Sequence, residues 1–115
     1  MVAWVDGVWT RRVGPFALSD LPPGAVLVRV AWSSVNYKDG LASVPDGRVA
    51  RTLPLIPGID LAGMMVASTD ARFREGAEVL VHGHHLGVSR HAGYAAYQPR
   101  AGLCRCPPRS PRDPP

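Results

Sequence analysis

The chain has 115 residues, 46% of them hydrophobic, enough for one domain with a real core and too few for two. No apolar run approaches a membrane span, and the N-terminus lacks the basic and long apolar regions of a secretory signal, so the expectation is a cytoplasmic protein with no membrane partner. The net charge of +4 and pI of 9.7 suggest nucleic acid at first, but Arg100, Arg105, Arg109 and Arg112 against Asp113 in the tail account for most of it, and the nearly neutral body lacks the basic stripe that phosphate backbones need.

Val2-Ala3-Trp4-Val5 and Val8-Trp9-Thr10 flank Asp6-Gly7, a two-residue turn signal that predicts a hairpin, because both turn positions favour positive φ. The other reading is an irregular N-terminus whose tryptophans cover the core. After a turn at Leu21-Pro22-Pro23-Gly24, Val26, Val28, Val30 and Trp32 alternate with Leu27, Arg29, Ala31 and Ser33, the pattern of a half-buried strand.

Asn36 follows as a helix N-cap, its side-chain oxygen free to accept from the next turn while Asp39 reaches back. The short turn points its free N–H groups outward. Residues 41–52 read as a loop containing Pro45-Asp46-Gly47, with Arg48 and Arg51 near its end. Pro54 and Pro57 keep the next segment extended. Residues 60–66 then form a second strand, in which Gly63 marks a close backbone approach or a bulge, and Asp60, the only acid in that strand, should be hydrogen-bonded structurally. Glu78-Val79-Leu80-Val81-His82 is a third strand, and Gly93-Tyr94-Ala95-Ala96-Tyr97 a last one. Short strands between Pro and Gly turns, with no long helical period, imply an all-β barrel or sandwich.

From Gln98 the text changes to Q-P-R-A-G-L-C-R-C-P-P-R-S-P-R-D-P-P. It lacks apolar periodicity and is dense in Pro and Arg, so residues 99–115 are expected to be a disordered tail. An out-of-frame gene end and a natural Pro-rich, partner-binding segment both remain open. Cys104 and Cys106, one residue apart, suit neither a mutual disulfide nor a zinc site.

Trp32-Ser33-Ser34-Val35-Asn36-Tyr37-Lys38-Asp39, with Ile56-Pro57-Gly58-Ile59-Asp60-Leu61-Ala62-Gly63, resembles the N-terminal, GroES-like domain of medium-chain dehydrogenases/reductases. Within them it resembles the quinone-oxidoreductase type and its NADPH-dependent acrylyl-CoA reductase branch. Residues 72–80 are similar to the family's text there too, with Ala77 where an aspartate is common. The resemblance runs to about Tyr97 and covers the first of the two domains such enzymes have. It implies a GroES-like, partly open β-barrel over residues 1–98. It further implies an enzyme that uses NADPH to reduce the C=C bond of acryloyl-CoA-like thioesters, or a quinone, and is a homodimer when full length.

By the same resemblance Tyr37 contacts cofactor, and Asn36, Tyr37 and Lys38 are the candidate catalytic group. Asn36 capping its turn and Tyr37 packing is the structural alternative. Arg48 and Arg51 either meet acidic groups of a CoA thioester or are solvated. Zinc is not expected, because the zinc-using members place cysteine in the slot of Asn36 and a His-Glu pair after Gly58, where Ile59 and Asp60 stand. His82, His84, His85 and His91 invite a separate metal reading, without a carboxylate partner to support it. No glycine-rich dinucleotide fingerprint occurs, so the pyrophosphate site of NADPH is not encoded and the chain alone should be inactive. A non-catalytic β-module with a partner-binding tail is the reading from outside enzymology.

Overall fold

The computed structural model describes residues 1–20, 24–100 and 104–105. Its elements are strands β1 (Val2–Val5), β2 (Val8–Arg11) and β3 (Val26–Trp32), helix α1 (Tyr37–Ala42), and strands β4 (Asp60–Ser68), β5 (Glu78–His82), β6 (Tyr97–Arg100) and β7 (Cys104–Arg105). Single 3-10 turns occupy Leu18–Asp20 and Pro45–Gly47. The strands form a two-stranded hairpin, β1-β2, and a five-stranded antiparallel sheet in the order β6-β3-β4-β5-β7. The fold is all-β, and its sheets are open rather than closed into a barrel.

The hairpin is the one the Asp6-Gly7 dipeptide predicts. Val5 pairs Val8, and the turn residues have φ of 49° and 75°, the mirror-image turn that matches strand twist. Trp4 and Trp9 face each other edge-on, with centroids 5.3 Å apart. The hairpin is tied to the rest through Val2, whose N–H and carbonyl pair with Leu55 at 2.7 and 2.9 Å.

In the sheet, Val26 and Val28 of β3, Leu61 and Met65 of β4, and Val79 and Val81 of β5 share one buried cluster. In β5 the exposed Glu78, Leu80 and His82 alternate with these buried valines, the cleanest period-two strand of the chain. Each fully buried valine or leucine contributes about 1.5–3 kcal/mol of apolar burial. Gly63 sits in β4 opposite Val30, where a Cβ would collide with the Arg29 carbonyl, and the register shifts just beyond it, between Val30 and Trp32. The close approach and the irregularity expected of this glycine are both present.

The final strand differs from the sequence reading. Residues 93–96 are irregular, and the strand runs from Tyr97 to Arg100, pairing along β3 from Arg29 to Val26. Pro99 is tolerated because β6 is an edge, where a missing N–H interrupts no ladder on the outer side. Cys104–Arg105 adds a short strand at the opposite edge, beside β5. Strand pairing therefore enters the stretch expected to be tail; residues 101–103 and 106–115 lie outside the described residues.

Candidate functional site

Residues 33–36 link β3 to α1, and Asp60 opens β4 directly opposite them. Asp60 is ringed by donors: the Ser34 N–H at 2.7 Å, the Ser34 hydroxyl, and the Asn36 side-chain amide at 3.1 Å. Ser33 Oγ donates to the Asp60 carbonyl at 2.8 Å. Burial pushes the Asp60 carboxyl up, but the hydrogen bonds from Ser34, Asn36 and Ser33 together outweigh it and hold it below the usual carboxylate range. The structural role expected of this acid is what the geometry shows.

Asp39 is the second anchor, and a buried one at 3% exposure. It accepts from the Asn36 N–H at 2.9 Å, the Ile59 N–H at 2.9 Å, the Asn36 side-chain amide at 3.2 Å and the Tyr94 hydroxyl at 3.2 Å. Such a set of donors is what makes a buried carboxylate tolerable. One carboxylate thereby joins the helix start, the Pro57-Gly58-Ile59 segment and the loop before β6. The Tyr94 hydroxyl is pushed up to about 12 by burial, by the charge and hydrogen bond of Asp39 and by the charge of Asp60, so it remains a neutral donor at ordinary pH.

The turn carries the capping box expected of it, Asp39 reaching back to the Asn36 N–H at 2.9 Å. The Asn36 Nδ2 also donates to Ser34 Oγ, Asp39 and Asp60 at 3.0, 3.2 and 3.1 Å. It bridges two carboxylates that would otherwise repel.

Next to this fixed frame, Tyr37 and Lys38 project outward from the first turn of α1. Tyr37 is 85% exposed, so its ring does not pack in the core, and Val35 and Trp32 nearby are 89% and 78% exposed. Three exposed apolar side chains within six residues of sequence make this a candidate contact surface.

Two clefts flank the turn. The larger, of about 850 Å³, is bounded by the N-terminal segment, Val35, Pro57 and Tyr94 and includes the edge of Asp39. It is the roomier of the two but carries none of Asn36, Tyr37 or Lys38. The smaller, of about 410 Å³, is lined by Lys38, Arg51, Ile59, His84 and His85, with Gly83, Leu86 and Val88. The chemistry is better placed on its side, because a charged candidate residue lines it.

The histidines do not form one group. His91 Nδ1 accepts from the Ile56 N–H at 3.1 Å, and burial, with the charge of the N-terminal ammonium, pushes its pKa down. His84 and His85 line the smaller cleft. Among the described residues no three His, Cys, Asp or Glu side chains come together to hold a metal ion. Ile59 offers an apolar side chain, and Asp60 is already bound by four donor groups.

Comparison with known proteins agrees with this frame. Residues 22–106 match the alcohol dehydrogenase GroES-like domain, and the chain belongs to that family. It is 49% identical over 86 residues to "Putative quinone oxidoreductase YhfP" of Bacillus subtilis, covering 75% of this chain and 26% of the relative. It is 46% identical over 90 residues to "Probable acrylyl-CoA reductase AcuI" of Escherichia coli, covering 78% and 28%. Among solved structures, the yhdH oxidoreductase of Salmonella enterica in complex with NADP superposes with a TM-score of 0.87 at 41% identity, over 93% of this chain and 34% of that one. The Bacillus YhfP structure, with NAD bound, gives 0.87 at 41% identity, over 93% and 33%. The chain spans about a quarter of the length of the curated relatives it matches.

Asn36, Tyr37 and Lys38 thus lie together on one turn, with Asn36 facing inward and the other two outward. Tyr94, Ser33 and Ser34 are the residues that the sequence did not single out for this site. Tyr94 meets Asp39 across 55 residues of chain, and no local pattern signals such a contact. Gln98, buried and donating to the Ala92 carbonyl at 2.9 Å, was likewise invisible inside the tail-like text.

Proposed function

We propose that this chain supplies the substrate-side domain of an NADPH-dependent oxidoreductase that reduces the C=C bond of acryloyl-CoA-like enoyl thioesters. The observation that carries the reading is the rigid Asn36-Tyr37-Lys38 turn, immobilised by Asp39 and Asp60 at the rim of a cleft. Support comes from the relative named as an acrylyl-CoA reductase and from the NADP-bound structure. NADPH would supply the hydride, held mostly by a nucleotide-binding domain outside this sequence, since the exposed Tyr37, Val35 and Trp32 offer a ring-sized apolar contact and no pyrophosphate cradle.

Within this domain the roles divide by what each side chain already binds. Both Asn36 amide protons are engaged by Ser34, Asp39 and Asp60, so Asn36 orients the turn. Tyr37 presents a ring for contact with the nicotinamide side of the cleft and a hydroxyl that can donate. Lys38 places a cationic donor where negative charge develops on the thioester carbonyl oxygen. The reading is zinc-independent, with the complete enzyme a cytoplasmic homodimer and the chain alone inactive for want of the other half of the cleft. A quinone acceptor is the second reading, favoured by the 49% identity to the Bacillus relative.

The test is made in a complete enzyme carrying this domain. Lys38→Met is expected to lower kcat/KM for acryloyl-CoA roughly 100-fold with the fold intact. Tyr37→Phe should lower it less, since ring contact is kept. Unchanged turnover in both variants would remove the turn from the chemistry.

A further inference from the structure

The smaller cleft has a character that the proposed hydride chemistry does not require. Lys38, Arg51, His84 and His85 line it, its other lining residues are Gly83 and apolar groups, and no carboxylate lines it. Among the described residues the one ion pair is Arg72–Asp70, at 2.6 Å, so neither Lys38 nor Arg51 is neutralised by a carboxylate there. Uncompensated cationic groups converging on one concavity repel each other and are stabilised by an anion between them.

The cleft is also built rather than incidental. Leu86 and Val88 form a buried apolar base, at 1% and 8% exposure. The Arg51 N–H is pinned to the Val88 carbonyl at 2.7 Å, and the Gly83 N–H to the Ile59 carbonyl at 3.2 Å, so the segments that line it are tied together in pairs. The turn that carries the two histidines is tight: the His85 carbonyl accepts from the N–H groups of Val88, Ser89 and Arg90 at 3.1–3.2 Å. His84 and His85 have φ of 48° and 65° between Gly83 and Gly87, also left-handed. Two consecutive non-glycine residues held there are uncommon and are maintained by surrounding structure.

We propose that Arg51, His84 and His85 of this cleft form a phosphate-binding site. A guanidinium pairs two phosphate oxygens side by side and imidazole N–H groups take the remaining oxygens, while Lys38, assigned above to the thioester oxygen, adds only its longer-range field. The source of that phosphate rests on the function proposed above, because both reactants of such an enzyme carry phosphate. One is the 3′-phosphate of coenzyme A, the other the 2′-phosphate of NADPH.

The experiment titrates the 115-residue chain with inorganic pyrophosphate, coenzyme A, dephospho-coenzyme A, NADPH and NADH. The readout is the imidazole resonances of His84 and His85, assigned through His84→Gln and His85→Gln. Saturable shifts of these resonances by pyrophosphate are expected, and Arg51→Gln should weaken that binding about tenfold with the thermal midpoint unchanged. Coenzyme A binding more tightly than its dephospho form assigns the site to the thioester; NADPH binding more tightly than NADH assigns it to the cofactor. Either result supports the site. Pyrophosphate binding without preference in either pair also supports it, and would count against the proposed enzyme function instead. No saturable shift with any of these ligands, or shifts that Arg51→Gln leaves untouched, would overturn the proposal.

Discussion

Asp39 and Asp60 are both carboxylates at one end of the sheet, yet they act differently. Asp39 is buried and gathers four donors from three separate segments, so its loss leaves several backbone and side-chain donors unpaired. Asp60 is partly exposed and fixes the loop between β3 and α1. Its lowered pKa has a defined consequence for stability. Because the folded-state value lies below the ordinary 3.8, the unfolded chain binds the proton more readily. The contribution of Asp60 is therefore complete above that ordinary value and is lost as pH falls through the lowered one. Denaturant midpoints for the native chain and Asp60→Asn, compared across acid pH, should differ by a constant amount above about pH 5 and converge below the ordinary carboxylate pKa. Parallel profiles down to the lowest pH would mean that the ring of donors does not favour the ionised form.

Strand β3 was legible because alternation is a local signal that survives whatever the strand pairs with, and β4 and β5 as short apolar runs between Pro and Gly turns. The Asp6-Gly7 turn was legible for the same reason, since its φ preference belongs to two residues. β6 was not. Pro99 argues against a strand unless the edge position is known, and that position is set by β3, far away in sequence. The Asn36 cap was legible, because its backbone geometry and the reach of Asp39 are local, while the contact of its side-chain amide with Asp60, 24 residues away, is not. Gly63 was legible as an interruption, and the structure supplies its cause in the nearness of the Arg29 carbonyl. Gly63→Ala is therefore expected to destabilise the domain by about 1–3 kcal/mol through overpacking against backbone. For a domain of this size that lowers Tm by roughly 4–8 °C per kcal/mol, measurable by thermal unfolding. An unchanged Tm would show that β3 and β4 can separate at this point without cost.

At the scale of the molecule, an open all-β sheet carries a hydrogen-bonded turn at one end. Trp32, Val35 and Tyr37 are exposed beside it, and Lys38 of the same turn lines a cleft with Arg51, His84 and His85. On the function proposed above, such a domain forms half of a cleft whose other half belongs to the rest of the enzyme. The most direct measurement joins residues 1–100 to the remainder of the Escherichia coli relative, with which the chain shares 46% identity over 90 residues, in place of that relative's own N-terminal domain. NADPH oxidation is then followed with acryloyl-CoA and with a quinone as acceptor. The account predicts turnover of acryloyl-CoA that falls roughly 100-fold when Lys38→Met is introduced. A folded, NADPH-binding chimera that reduces the quinone but leaves acryloyl-CoA untouched would contradict it.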